Sequence, residues 1–108
     1  MKKLCVICAL LLNSFIVNAA SGSSNGKISA IRFYEGHTGV LIIQENMSDL
    51  GECGRADYYI LDESHSYFKE IYSLILSSHM TNHPLYLEID GCIEGISRIK
   101  HVRSVKQS

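Results

Sequence analysis

Two cysteines and two histidines are the residues of this chain best suited to chemistry. Cys53 lies in "LGECGRADYY" and Cys92 follows "EIDG", and each could be a nucleophile, a metal ligand or half of a disulfide. His79 and His83 have the i, i+4 spacing of two zinc ligands on a helix, but no glutamate follows His79 and Pro84 predicts that the helix ends there. We therefore expect no metal and no cofactor.

Carboxylates are the other chemical candidates, because a pair of them hydrolyses glycosides. The available side chains are Asp57, Asp62, Glu63, Asp90 and Glu94. A sequence does not determine the separation of two carboxylates, which this chemistry requires. We expect no enzymatic activity and rank a small hydrolase behind the binding functions described below.

The N-terminal segment determines how the cysteines are interpreted. Lysines at positions 2 and 3 precede an apolar run over positions 4–17 that ends in small residues before Ala19. This pattern predicts a secretory signal peptide over 1–19. The apolar run is interrupted by polar residues and is too short to span a bilayer stably. We expect a secreted or periplasmic protein without stable membrane insertion.

Cleavage after Ala19 would remove Cys5 and Cys8 and leave only Cys53 and Cys92. Two cysteines in an exported chain normally pair. We therefore predict a Cys53–Cys92 disulfide, which leaves a free nucleophile or metal ligand as the alternative.

The charge pattern excludes one class of partner. Without the two leader lysines, the chain has eight basic and eleven acidic residues, a formal charge of −3 that argues against nucleic acid. Basic residues concentrate near the C-terminus, where a basic strip is formed by Arg98, Lys100, His101, Arg103 and Lys106. The strip either pairs with acids of the same domain, or it contacts a neighbouring subunit or an anionic ligand.

The elements that must position these residues form one small domain over 27–108. A flexible leader is predicted over 20–26, because residues 21–26 read "SGSSNG". Strands are predicted over 27–34, 40–44, 56–61, 85–89 and from 96 or 97 to 105. In the first strand, Ile28, Ala30 and Arg32 are expected to share one face. A helical face recurs at Phe68, Ile71, Tyr72, Ile75 and His79, with candidate N-caps Asp62, Ser64 and Ser66. The order β-β-β-α-β-β predicts a mostly β protein with one helix, an OB-fold-like five-stranded barrel; an open α+β sandwich is the alternative.

Aromatic and arginine side chains are the best candidates for ligand contact. Tyrosines stack on sugars or pack on proteins, and an arginine fork recognises a carboxylate such as that of a sialic acid. The candidate residues are Arg55, Tyr58, Tyr59, Tyr86 and His37. Because adjacent residues of a strand point to opposite faces, one of Tyr58 and Tyr59 is expected in the core. Arg55 could instead pair with Asp57.

A family resemblance adds to this interpretation. The strand "GKISAIRFYEGHTG", the passage "FKEIYSLILSSHMTNHPLYLEI" and the closing "CIEGIS" resemble the B subunits of subtilase-cytotoxin and pertussis-type bacterial toxins. Those proteins are OB-folds that form five-membered rings and bind cell-surface glycans. The resemblance implies a secreted bacterial non-catalytic binding subunit, ring-forming, with a glycan or protein partner; it assigns no binding residue. A monomeric periplasmic accessory or inhibitor protein is the alternative.

Overall fold

A computed structural model describes residues 20–106, so the predicted signal peptide lies outside the described residues. Six strands and one helix follow in the order β1 (Ser21–Gly26), β2 (Ile28–Arg32), β3 (Gly39–Gln44), β4 (Tyr59–Asp62), α1 (Phe68–Thr81), β5 (Leu85–Ile93) and β6 (Ile96–Arg103). The described part of the chain is mostly β with one helix, as predicted. Within residues 20–106, no helix is long and apolar enough to cross a membrane.

The strands form one mixed sheet in the order β1-β5-β6-β4-β3-β2. All neighbours are antiparallel except β4 and β6, which are parallel. This six-stranded sheet is not closed into the five-stranded barrel that we expected. Lys27 alone separates β1 from β2, yet these two strands lie at opposite ends of the sheet order.

The flexible leader predicted over 20–26 is instead strand β1. It pairs antiparallel with β5 from Ser21↔Asp90 to Gly26↔Leu85. Its small polar side chains carry no apolar pattern, so the pairing depends on backbone hydrogen bonds and on the buried hydroxyl of Ser24. Local composition therefore predicted disorder where a long-range partner supplies order.

The main core lies between the helix and one face of the sheet. Helix α1 contacts β2, β4 and β6 and buries Ile71 and Ile75 against them. The strands contribute Ile28, Val40, Ile42, Tyr59, Leu61, Leu85, Leu87, Ile89 and Ile99 to the same cluster. A smaller cluster on the other face contains Leu41, Ile60 and Ile96, covered in part by Tyr58 and Ile93. We call the face that carries the smaller cluster the outer face.

A β-bulge at the start of β2 changes which residues reach the outer face. The pairing with β3 shifts between Ile28 and Ala30, so that Ile28 and Ile31 both contact the main core. Arg32 is consequently opposite Leu41, on the outer face. The expectation that Ile28 and Arg32 share a face was wrong, because the extra residue of a bulge reverses the alternation.

The helix boundaries follow different signals from those expected. The N-cap position is Tyr67, which makes no side-chain cap hydrogen bond. His65 replaces the predicted Asp62, Ser64 and Ser66 caps, because its Nδ1 accepts the Tyr67 N–H at 2.9 Å. At the other end Asn82 adopts the left-handed conformation with φ of 57°, which ends α1 two residues before Pro84.

The Cys53–Cys92 disulfide is confirmed. The two Cα atoms are 5.9 Å apart, and the bond joins the β3–β4 loop to the end of β5. Next to it, the Gly51 N–H donates to the buried Ser97 hydroxyl at 3.1 Å. Leu50 and Met47 pack on the main core. The disulfide therefore holds the β3–β4 loop against the end of the core.

Candidate functional site

The cysteines and histidines considered for metal or nucleophilic chemistry all have structural contacts. His79 lies on α1 and its Nδ1 bonds to the Ile28 carbonyl at 2.9 Å. His83 lies beyond the helix end, and its Nε2 bonds to the Val105 carbonyl at 3.2 Å. The two rings therefore bond to two different backbone carbonyls and do not share a ligand. Across residues 20–106, no three His, Cys, Asp or Glu side chains group as a metal site.

One catalytic sequence pattern occurs within β1. Gly22–Gly26 reads Gly-Ser-Ser-Asn-Gly and matches Gly-x-Ser-x-Gly. A nucleophile elbow of this type requires a sharp turn from a strand into a helix. Ser24 instead lies within a strand, buried, and donates its hydroxyl to Gln44 Oε1 at 2.6 Å. This serine therefore has a structural role.

Two of the candidate carboxylates converge on one hydroxyl. Thr38 Oγ1 lies 3.1 Å from Asp62 Oδ1 and 3.0 Å from Glu94 Oε1. The Thr38 backbone N–H also donates to Glu94 Oε1 at 2.9 Å, and this bond, followed by the Thr38 hydroxyl, lowers the pKa of Glu94. A glycosidase acid needs a raised pKa. Glu94 therefore does not have the raised pKa that the protonated acid of a glycosidase requires.

The outer face carries an arginine–tyrosine cluster that sequence reasoning identified only in part. Arg32 Nη1 donates to the hydroxyls of Tyr34 at 3.1 Å and of Tyr58 at 2.8 Å. The Arg32 guanidinium also lies 5.8 Å from the centre of the Tyr58 ring, and the Arg55 guanidinium lies 5.6 Å from it. We call Arg32, Tyr34, Tyr58 and Arg55 the Arg32 cluster.

The two arginines of this cluster differ in their acidic partners. Arg55 binds Asp57 through Nε at 2.6 Å and Nη2 at 2.5 Å, so its fork is occupied, as the sequence alternative anticipated. Arg32 has no carboxylate within 4.0 Å among the described residues, whereas Arg98 and Arg103 each have one. Tyrosine hydroxyls at Tyr34 and Tyr58 hold the Arg32 guanidinium, which keeps its charge available for an anion.

The hydrogen bonds within the Arg32 cluster shift the pKa values of Arg32 and Tyr34. The hydrogen bonds that Arg32 donates to the hydroxyls of Tyr34 and Tyr58 raise the pKa of Arg32, so its guanidinium keeps its positive charge. The Tyr58 hydroxyl and then the Arg32 guanidinium lower the pKa of Tyr34. Tyr34 is 46% exposed, whereas the adjacent Phe33 packs against Tyr72 of helix α1 and lies outside the cluster. The cluster therefore offers one fixed cation beside accessible aromatic surface.

The other predicted contact residues lie elsewhere. Tyr59 is fully buried in the main core, where its hydroxyl bonds to the Ser48 carbonyl at 3.4 Å, so the proposal that it contacts a ligand was wrong. Tyr86 lies on β5 beneath Arg103, whose guanidinium is 4.9 Å from the ring centre. His37 lies in the β2–β3 turn, where its Nδ1 is 3.8 Å from Glu94 Oε2. The structure therefore brings together only Arg55 and Tyr58 of the five candidates.

Much of the predicted basic strip is paired within the chain. Arg98 and Lys100 lie 3.8 and 3.6 Å from Asp90 Oδ2, and Arg103 lies 3.7 Å from Glu88. Of these residues, Glu88, Asp90 and Lys100 border a polar hollow of about 260 Å³ between β1, β5 and β6. Pairing of the strip with acids of the same domain, one of the two interpretations offered by the sequence, therefore accounts for Arg98, Lys100 and Arg103.

Comparison of the chain with protein-family models, with curated proteins and with solved structures gave no match.

Proposed function

We propose that this protein is a secreted, non-catalytic binding subunit that recognises an acidic glycan through the Arg32 cluster. The observation that supports the proposal is the guanidinium of Arg32, which two tyrosine hydroxyls hold in place and which has no acidic partner among residues 20–106. A sugar carboxylate would accept hydrogen bonds from the nitrogens of Arg32 that the tyrosines leave free. The exposed ring of Tyr34 would pack on the sugar ring.

The order of the strands in the sheet supports the proposal of an OB-like fold. If Ser21–Arg32 is one strand bent at Lys27, its first half pairs with β5 and its second half with β3. Counted in this way, five strands would form a partly open barrel, the arrangement of OB-folds that bind oligosaccharides on a sheet face. The resemblance to toxin B subunits, and with it a five-membered ring, belongs to the same proposal.

One observation favours the alternative, a monomeric periplasmic accessory or inhibitor protein. Arg98, Lys100 and Arg103 each lie within 4.0 Å of an acid of their own chain, so the basic strip is accounted for without a neighbouring subunit. Native mass spectrometry separates the two proposals. A five-membered assembly supports the toxin-like subunit, and a monomer at all concentrations supports the alternative.

Glycan binding is tested by titration with 3′-sialyllactose, and with lactose as the ligand that lacks a carboxylate. We expect Arg32→Gln to weaken sialyllactose binding by about tenfold or more, because a charged hydrogen bond contributes about 1.5–3 kcal/mol. Arg103→Gln is the matched control, since Arg103 also lies over a tyrosine ring but has Glu88 as its partner. Equal binding of lactose and sialyllactose, or unchanged binding by the Arg32 variant, would contradict the proposal.

A further inference from the structure

Strand β6 is paired on both sides over only part of its length. Parallel pairing with β4 covers Ser97 and Arg98, whereas antiparallel pairing with β5 continues to Arg103. Beyond Arg98, therefore, β6 has a neighbour on one side only within residues 20–106. A strand with one neighbour leaves half of its backbone N–H and C=O groups free to pair with another chain.

Two histidines limit this free edge. His65 Nε2 bonds to the Lys100 carbonyl at 2.8 Å, and His83 Nε2 bonds to the Val105 carbonyl at 3.2 Å. No comparable backbone contact joins His101–Ser104 to the helix side of the sheet among the described residues. The open segment is thus about four residues long, which is enough for the main-chain pairing of a short added strand.

An apolar groove lies directly beside the free edge. Its volume is about 230 Å³, and its apolar lining comes from Tyr67, Ile71 and Leu74 on the helix side and from Val102 on β6. Its polar lining is His65, Glu70, Lys100 and His101. Tyr67 is 64% exposed and Leu74 is 38% exposed. We call the segment His101–Ser104 together with the four apolar side chains the β6 edge groove.

Charge distinguishes between the candidate occupants of this groove. The β6 edge carries Lys100 and Arg103, and Lys106 follows it. Pairing of two copies through this edge would bring these like charges together, which destabilises a sheet. The ion pairs of Lys100 and Arg103 have N···O distances of 3.6 and 3.7 Å at exposed positions, where such pairs contribute little. Acidic side chains of a different chain would therefore complement this edge.

We propose that the β6 edge groove binds an extended segment of a partner protein in which acidic and apolar residues alternate. The segment pairs with His101–Ser104 as an additional strand. Because side chains alternate along a strand, its apolar residues enter the groove beside Leu74 while its acidic residues lie near Lys100 and Arg103. This protein site is separate from the Arg32 cluster, which lies at the β2–β4 end of the sheet.

The test uses a capped hexapeptide of alternating glutamate and valine and ¹⁵N-labelled protein. We expect saturable amide shifts and slowed amide exchange at His101–Ser104. The same peptide with N-methyl groups on the alternate residues that face β6 should bind at least tenfold more weakly, since those residues have no N–H to donate. A lysine–valine peptide should also bind more weakly, because it repels the basic edge.

Two exposed leucines of α1 provide matched variants. Leu74 and Leu76 are 38% and 40% exposed, but only Leu74 lines the groove. We expect Leu74→Ala to weaken peptide binding by about tenfold and Leu76→Ala to leave it unchanged. Circular dichroism checks that both variants fold, and Arg32→Gln should not affect this binding.

Three results would overturn the inference. The first is no saturable binding of the glutamate–valine peptide, and the second is an equal effect of the two leucine variants. The third is self-association, seen as concentration-dependent shifts at His101–Ser104 without peptide together with a dimer in sedimentation, which would make a second copy the occupant.

Discussion

Gln44 provides the most direct test of how the two ends of the sheet are held together. Its side chain is 3% exposed and makes three hydrogen bonds. Nε2 donates to the carbonyls of Gly26 at 2.9 Å and of Leu85 at 2.8 Å, and Oε1 accepts from the Ser24 hydroxyl at 2.6 Å. One side chain of β3 therefore connects β1, through Ser24 and Gly26, with β5, through Leu85.

We predict that Gln44→Met lowers the free energy of unfolding by about 3 kcal/mol. Methionine has nearly the same length but removes all three hydrogen bonds, each of which contributes about 1 kcal/mol net. Two carbonyls and one hydroxyl would also lose their partner in a buried site, which adds to the loss. Since small domains have a total stability of about 5–15 kcal/mol, an effect of this size is readily measured.

The assay is urea unfolding of the wild type, Gln44→Met, Ser24→Ala and the double variant. Ser24→Ala removes one of the three bonds and should cost about 1 kcal/mol. The double variant should be about 1 kcal/mol more stable than the sum of the single effects predicts, because both single variants lose the same bond. The reasoning is refuted if Gln44→Met costs less than about 1 kcal/mol with an unchanged denaturant slope, or if the two effects are simply additive.

Three further changes should affect stability in predictable ways. Replacing both Cys53 and Cys92 by alanine should cost about 4 kcal/mol, the chain-entropy value for a separation of 39 residues, as measured by thermal unfolding without reductant; an unchanged melting temperature would contradict it. Gly51→Ala should cost about 1–3 kcal/mol, because its Cβ would lie 2.4 Å from a backbone carbonyl of β5. Thr38 holds the pKa of Glu94 below its usual 4.5, so Glu94 stabilises the fold above that pH and this contribution is lost as pH falls through the lowered pKa. The stability difference between wild type and Glu94→Gln should shrink in acid urea titrations, whereas a constant difference would exclude the linkage.

Several parts of the fold were predictable because their signals are local. The apolar run "VLIIQ" forms β3, and the three- and four-residue spacing of Ile71 and Ile75 gives the buried face of α1. Cys53 and Cys92 pair as predicted from their number and the expected compartment, without any knowledge of the loop that the bond holds.

Other parts depend on contacts that no local pattern encodes. Strand β1 has the composition of a linker, and it is ordered by backbone pairing with β5 and by the Ser24–Gln44 hydrogen bond. The helix N-terminus uses His65, which is not among the usual capping residues. In both cases the stabilising partner is set by the fold around the segment.

The candidate site shows the same division between sequence and tertiary structure. The sequence by itself established that one of the adjacent Tyr58 and Tyr59 is buried, because neighbouring residues of a strand point to opposite faces. Only the tertiary structure decided that Tyr59 is the buried one and that Tyr58 meets Arg32. A bulge in the pairing of β2 with β3 moved Arg32 to the outer face. Such a bulge is a property of two paired strands, so the residues of one strand cannot specify it alone.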